Sequence, residues 1–451
     1  MNDLVMPQVA NEPVVPGLNM DYFWMPFTHN RHFKKHPRLY VAAKGNYLTT
    51  YDGRQVYDGT SGLFCCGLGH QHPKIVEAVK SQLDTLDYCA PFQFANDKAF
   101  QAAERIAAIA PAGMNRVFFC CSGSEAADTA IKMAIGYHRA RGEASRIRII
   151  GRERGYHGVG LGGTAAGGMT NNRKAFAPLM PTGIDHLPHT HDPKHMAYSR
   201  GMPKWGVHLA DELERLVTLH DASTIAAVLV EPMAGSFGML PPPVGYLTRL
   251  REICDKHGIL LIFDEVITGF GRLGHHFSAA RFGVTPDLAT FAKGVNNATI
   301  PMAGVVVKQS VHDAFMTGPE YAAEFFHGYT YSAHPLAMAA AIATLDVIKE
   351  EGVLERVREL EKVLEGAVHA LKGEPNVIDI RNLGAAAAVE VGSISGSPGL
   401  RGMNIVDECF RNGIGIRWNG DSIMMAPPFF STPDEVARMI ETLGAALRAN
   451  A

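Results

Sequence analysis

Three short stretches carry the residues best suited to chemistry, and each stands at the end of an apolar run. Lys293, in Ala292-Lys293-Gly294, directly follows Leu288–Phe291. Such a lysine is usually a solvated surface residue. Held in a cleft it loses hydration, its amine pKa falls, and it becomes a nucleophile able to condense with a carbonyl. Asp264 follows Ile259–Phe263. A carboxylate leaving a buried strand has to be paired or metal-bound, because burying it bare costs several kcal/mol. A cationic ring nitrogen would satisfy it. The rival reading, a magnesium-holding aspartate of a nucleotide site, lacks the G-x-x-x-x-G-K-[ST] loop that should accompany it. The third stretch is Ser122-Gly123-Ser124-Glu125, between Val117–Cys121 and a helix predicted to begin near Ala126. Free N–H groups and hydroxyls at a helix start suit an anion, and the same residues also read as an N-cap with Glu in the first turn. A phosphate cradle, a carboxylate for a ring cation and a nucleophilic lysine are the parts a pyridoxal phosphate site needs.

Strands must hold those ends. The runs Val117–Cys121, Ile147–Ile150, Ile225–Val230, Ile259–Phe263, Leu288–Phe291 and Ala303–Val307 are mostly continuous rather than alternating, as in strands covered on both faces. Helical patterns, among them Lys74–Leu86 and Ala126–Arg141, separate several of them. This predicts an α/β fold whose large, doubly wound domain has a mostly parallel sheet and spans residues 73–334. Open sheets of that kind bind ligands at the carboxyl ends of their strands. Residues 335–451 are predicted as a small α+β domain: helices Leu336–Glu351 and Glu355–Leu371, short strands, and a last helix Pro433–Ala449. Residues 1–72 add a loose arm to about Pro16 and a hairpin, Tyr47–Thr50 with Gln55–Tyr57, packed on the small domain.

Composition narrows the function classes. The chain of 451 residues is 47% hydrophobic and 19% charged, enough to bury a large core. Its 42 Lys plus Arg against 45 Asp plus Glu leave a net charge of −3, with no basic run for nucleic acid. The seven cysteines include the adjacent pairs Cys65-Cys66 and Cys120-Cys121 but no C-x-x-C, which argues for free thiols. Neither a secretory signal nor a membrane-length apolar stretch is visible, so the cytoplasm is the expected compartment. Gly158, Gly160 and Gly163 formally match a dinucleotide fingerprint, but Gly-Gly-Thr-Ala-Ala-Gly-Gly at 162–168 reads as a poor helix. His186, His189, His191 and His195 are interrupted by Pro188 and Pro193 and read as solvated or structural, with no metal site. His157 is expected to hydrogen-bond behind Tyr156.

S-G-S-E-A (122–126), G-Y-H-G (155–158), F-D-E-V-I-T-G-F-G-R (263–272), A-K-G (292–294) and H-G-Y-T-Y-S-A-H-P (327–335) resemble the class III aminotransferases of PLP fold type I. D-Y-C-A-P-F-Q-F (87–94), D-H-L-P-H-T (185–190), A-Y-S-R-G-M-P-K (197–204) and V-I-D-I-R-N (377–382) carry a closer resemblance to the ω-amino acid (β-alanine):pyruvate aminotransferases. The resemblance runs from about Tyr22 to the C-terminus. It implies that Lys293 binds pyridoxal 5′-phosphate covalently and then moves a proton, and that Asp264 pairs with the ring nitrogen. It further implies that Tyr156 stacks on one ring face and Val266 packs on the other. Ser122, Gly123 and Ser124 would hold the phosphate, Glu231 would lie beside the cofactor, and Thr330 would reach the phosphate of a neighbouring subunit. A homodimer with shared sites follows from that, with a tetramer open. Phe27, Phe64, Phe92, Arg417 and Met424 would line the substrate site, Arg417 pairing with a carboxylate and swinging aside for bulky amines. Phe64 and Met424 depart from the Trp and Gln usual at those positions, through drift or through a shifted donor preference. The resemblance also leaves open a class III transaminase for taurine, diamines or hydrophobic amines, or a PLP racemase.

Overall fold

The computed structural model describes Val15 and residues 17–451. The arm expected up to Pro16 falls, Val15 apart, outside the described residues. Seven strands build the central sheet: β1 (Met114–Cys120), β2 (Arg148–Arg152), β3 (Ile184–Leu187), β4 (Ile225–Val230), β5 (Leu260–Asp264), β6 (Leu288–Phe291) and β7 (Ala303–Lys308). Their spatial order is β1-β7-β6-β5-β4-β2-β3. The β6–β5, β5–β4, β4–β2 and β2–β3 pairings are parallel, and β7 alone runs antiparallel, between β1 and β6. Every residue of β4, β5 and β6 is buried. Helices cover both faces, so these strands have no solvent side for which to alternate polar residues. Each fully buried Val, Leu or Ile contributes about 1.5–3 kcal/mol relative to exposure.

β3 carries Asp185 and His186 between apolar ends, so it has no continuous apolar run to mark it in the sequence. Its polar residues are used: Asp185 bonds to His220 at 2.7 Å, and His186 Nε2 to the Gly167 carbonyl at 3.0 Å.

Outside the sheet, an N-terminal hairpin (Tyr40–Lys44, Tyr47–Thr50, Gln55–Asp58) pairs in parallel, at Tyr57 and Asp58, with Ile414 and Gly415. Near the C-terminus a four-stranded antiparallel sheet is ordered 377–382, 387–391, 422–425, 417–419. The helices Val353–His369 and Leu400–Arg411 pack against the last helix, Pro433–Ala449, which Thr432 and Glu435 open with a capping box. The long helix Pro335–Glu350 lies against Pro73–Thr85, Asp97–Ile109 and the turn Lys293–Asn296. It is apolar nearly all round, as a helix enclosed on every side must be.

Candidate active site

Asp264 ends β5 and is 5% exposed. Thr290 Oγ1, on the neighbouring β6, and the Val266 N–H both donate to its Oδ1 at 3.1 Å, and His157 Nδ1 meets its Oδ2 at 2.8 Å. His157 is buried as well, with no partner for Nε2. The adjacent Glu265 turns the other way. Its carboxylate accepts from Thr268 and from the Ser278 and Ala279 N–H groups, closing the loop after β5. Of the two neighbouring acids, Asp264 alone bears electrostatically on Lys293 and Tyr156. Its partners come from three separate segments, which fixes its direction.

Lys293 follows β6 by two residues, at φ +52°, a left-handed conformation that costs a non-glycine residue about 1–2 kcal/mol. Desolvation holds its amine below the usual lysine range, and the negative groups Asp264, Cys65 and Glu231 only partly oppose the shift. A lowered pKa means a larger unprotonated, nucleophilic fraction near neutrality.

The helix after β1 begins at Gly123, three residues earlier than predicted, and runs to Ala140. The capping box explains the early start. The Glu125 N–H donates to Ser122 Oγ at 3.3 Å, and Glu125 Oε2 accepts from the Ser122 and Cys121 N–H groups at 3.1 and 2.7 Å. The Ser122 oxygen accepts in that cap, and the residue, like Ser124, keeps its hydroxyl proton to donate. Gly123 and Ser124 remain as first-turn residues whose N–H groups lack helical partners. Ser124 Oγ accepts from the Val159 N–H at 3.0 Å and keeps its own proton to donate. Gly158, at φ +88°, passes directly over Ser124: an added Cβ would stand 2.5 Å from Ser124 Cα. The glycine pattern at 158–163 thus serves close approach to this helix. Contrary to the expectation of a poor helix, Leu161–Ala166 is helical, with Asp128 Oδ1 accepting from the Gly163 N–H at 2.7 Å.

Val266 joins the strand ends together. Its two γ-methyls would be 3.2 and 3.3 Å from a Cβ at Gly123, and the Ala292 Cβ would be 3.8 Å from it. Tyr156 is half-buried, and its N–H donates to Glu231 Oε1 at 2.9 Å. Burial, then the charges of Asp264 and Glu231, raise its phenol pKa. Glu231 also accepts from the Gly235 N–H at 2.9 Å, and burial raises its pKa. Arg152 anchors the Glu231 carbonyl at 2.7 Å.

The structure therefore brings Lys293, Asp264, Gly123, Ser124, Tyr156, Val266 and Glu231 to one end of the sheet. The other candidates stand on other elements. Phe64 and Met424, 7% and 2% exposed, share one buried apolar cluster with Met233, Met239 and Ile267. Arg417 pairs in register with Met424; desolvation lowers its pKa against the charge of Cys65, and its own charge helps to lower that of Lys293. Phe27 and Phe92 are 72% and 53% exposed, and Phe92 packs against Gly328. Thr330 is exposed, its carbonyl accepting from the Tyr88 hydroxyl at 3.0 Å. Among the four histidines, His191 is buried in an ion cluster. Arg381 pairs with both Asp379 and Glu390 there, and Arg154 reaches His191 Nδ1 at 2.8 Å. Two guanidinium groups already supply the positive charge a metal would bring. Thr290 escaped the sequence reading because one hydroxyl inside the run Leu288–Phe291 looks like an ordinary strand threonine.

These residues fit pyridoxal phosphate. A partly desolvated amine, a carboxylate with only a histidine as ionisable partner, and unpaired N–H groups at a helix start would receive its aldehyde, ring nitrogen and phosphate. The family model described as aminotransferase class-III matches residues 28–447. The chain is 52% identical over 425 residues to the omega-aminotransferase of Caulobacter vibrioides, covering 94% of this chain and 97% of that one. It is 51% identical over 438 residues to the beta-alanine–pyruvate aminotransferase of Pseudomonas aeruginosa, with 96% and 97% covered. Among solved structures, an amine transaminase from an uncultivated Pseudomonas species in a PLP-bound form superposes with a TM-score of 0.89 at 33% identity. That match covers 96% of this chain and 100% of the other.

Proposed function

Because the chain belongs to the class III aminotransferases, we propose that it moves an amino group from an ω-amino acid or related primary amine, such as β-alanine, to pyruvate. The products are L-alanine and the matching aldehyde, ketone or oxo acid. Relatives named for pyruvate as acceptor, at 51% and 49% identity, support the choice of acceptor. Pyridoxal phosphate supplies an aldehyde that condenses with amines and a ring that draws electrons from the carbon bearing the transferred nitrogen.

The chain's own residues do the rest. Lys293 would hold the cofactor through its aldehyde and would take the proton from the donor's amine-bearing carbon. Its lowered pKa prepares it for both tasks. Asp264, oriented by Thr290 and His157, keeps the ring nitrogen protonated. Tyr156 and Val266 hold the two ring faces, and Gly123 and Ser124 bind the phosphate through N–H and O–H donors. Glu231 fixes the Tyr156 backbone and so the height of that ring. Arg417, lacking a carboxylate partner among the described residues, takes the acid group of pyruvate or of an ω-amino acid. Phe64 and Met424 form the apolar backing of that wall. The active unit is a cytoplasmic homodimer in which Thr330 reaches the neighbouring subunit's phosphate and Phe27 and Phe92 complete the pocket. Their exposure in the single chain supports that role.

The observation that carries this reading is the meeting of Lys293, Asp264 and the Gly123–Ser124 helix start at adjacent strand ends. The test supplies purified protein with pyridoxal phosphate, pyruvate and one donor, and measures alanine. Formation of one alanine per donor consumed is expected with β-alanine. No alanine from β-alanine, a longer ω-amino acid, a diamine or an arylalkylamine would overturn it.

A further inference from the structure

Two pairs of adjacent cysteines occur in the chain, and the fold treats them differently. Cys120 ends β1 and Cys121 follows it, and neighbours along a strand point to opposite faces. Cys120 is buried and donates to Thr129 at 3.6 Å. Burial pushes its thiol up to about 12 and that of Cys121 to about 11, so both stay protonated.

Cys65 and Cys66 sit instead in a tight turn. Ser61, Gly62 and Phe64 all have positive φ there. The buried Asp58, paired with His70 at 2.8 Å, accepts the Gly62 N–H at 2.7 Å, and the Ser61 hydroxyl donates to the Ala426 carbonyl at 2.8 Å. The turn sends both sulfurs the same way, 4.0 Å apart. A Cβ on Gly62 would be 3.4 Å from one and 3.5 Å from the other. Neither residue is fully buried. The hydrogen-bonding contact with Cys66, then the Leu63 N–H at 3.4 Å from its sulfur and the positive charge of Lys293, hold Cys65 below the usual thiol range against burial. Cys66 is correspondingly pushed up.

Adjacent α-carbons lie about 3.8 Å apart, short of the roughly 4.4–6.8 Å of an ordinary disulfide. A direct S–S bond would therefore strain the turn, whereas one soft atom bridging both sulfurs would not. We propose that Cys65 and Cys66 form a dithiol site for trivalent arsenicals, on the wall of the cleft that holds Lys293. With an arylarsenoxide the arsenic–oxygen bond breaks and two arsenic–sulfur bonds form. The oxygen leaves as water with two protons, one from Cys66 and one from Cys65 or, where that is ionised, from solvent. Arsenic stays trivalent, and nothing is oxidised or reduced. The site lies outside the amine-transfer chemistry and is read by mass, so its failure would leave the aminotransferase reading untouched.

The probe is phenylarsine oxide, added to the cofactor-loaded enzyme and followed by intact mass and peptide mapping. One phenylarsenic per chain is expected, bridging Cys65 and Cys66, stable to excess 2-mercaptoethanol and removed by 2,3-dimercaptopropanol. Cys65→Ser and Cys66→Ser should each lose the monothiol-resistant adduct, and Cys120→Ser should keep it. An adduct mapped to other cysteines, none surviving monothiol in the wild type, or retention in either Cys65→Ser or Cys66→Ser would overturn the proposal. The wild-type map decides the question even where a serine variant fails to fold.

Discussion

Gly158→Ala measures how tightly the 156–160 loop is pressed on the start of the Gly123–Ala140 helix. Two costs add. At φ +88° an alanine takes on the left-handed penalty, about 1–2 kcal/mol. Its methyl would also stand 2.5 Å from Ser124 Cα and 2.7 Å from Ser124 Cβ, closer than real contacts permit. Cα cannot rotate away, so the backbone must shift, and overpacking of that kind costs about 1–3 kcal/mol. Gly142 provides the control: it has φ +82°, and a Cβ there meets nothing within 4 Å. Gly142→Ala thus carries the backbone penalty alone. In urea unfolding of the cofactor-free protein, Gly158→Ala should lose about 1–3 kcal/mol more than Gly142→Ala. Cofactor affinity should separate the two further, because the displaced Ser124 belongs to the proposed phosphate cradle. A loss of about 1.4 kcal/mol there is tenfold in Kd, measured by fluorescence titration. If the two variants unfold at one urea concentration and bind cofactor equally, the close approach does not organise the site.

Three further outcomes follow from the same geometry. Lys293 has a pKa lowered by burial, so the unfolded chain binds more protons than the folded one between that lowered value and about 10.4, and stability rises with pH across the window. Cofactor-free Lys293→Met should therefore be more stable than wild type near neutrality, the gap closing as pH rises; a gap independent of pH would contradict the desolvated amine. Arg417→Ala should cost β-alanine turnover about 10–100-fold, the equivalent of one or two charge-assisted contacts, while sparing an arylalkylamine. Equal losses in kcat/KM would remove its carboxylate role. Met424→Gln places an amide where only 2% of the residue meets solvent, and should destabilise the chain by about 1–3 kcal/mol in thermal or urea melts. Because Phe64 shares that cluster, the double variant with Phe64→Trp should depart from additivity by about 0.5–3 kcal/mol, and strict additivity would show the two side chains to be independent.

Much of the fold was legible because burial on both faces writes itself as uninterrupted apolar residues. Ile225–Val230 was found to its exact ends, and β5 within one residue at either side. The acid and the amine were legible for the same reason, as polar residues abruptly ending such runs. Signals spread over distant segments were not. The 161–166 helix depends on Asp128, some thirty residues earlier in the chain. Phe64 and Met424 stand 360 positions apart, and only the folded chain shows them in one apolar cluster. Thr290 announces nothing in sequence, since its task is set by a carboxylate on the adjoining strand.

The antiparallel strand β7 has a consequence for how the site comes into being. β1, whose end leads into the proposed phosphate cradle, does not pair with the strands of the acid and the amine. It is joined to them through β7, with Ala303 opposite Cys120. On the ribosome, residues 114–140 must wait for β7 to be made, long after their own synthesis. The hairpin that carries the Cys65–Cys66 turn waits longer still, for Ile414 and Gly415. Such non-local pairings are entropically late events in folding. A nascent chain released before residue 303 would own the acid and the amine and yet lack the strand that joins the phosphate cradle to them.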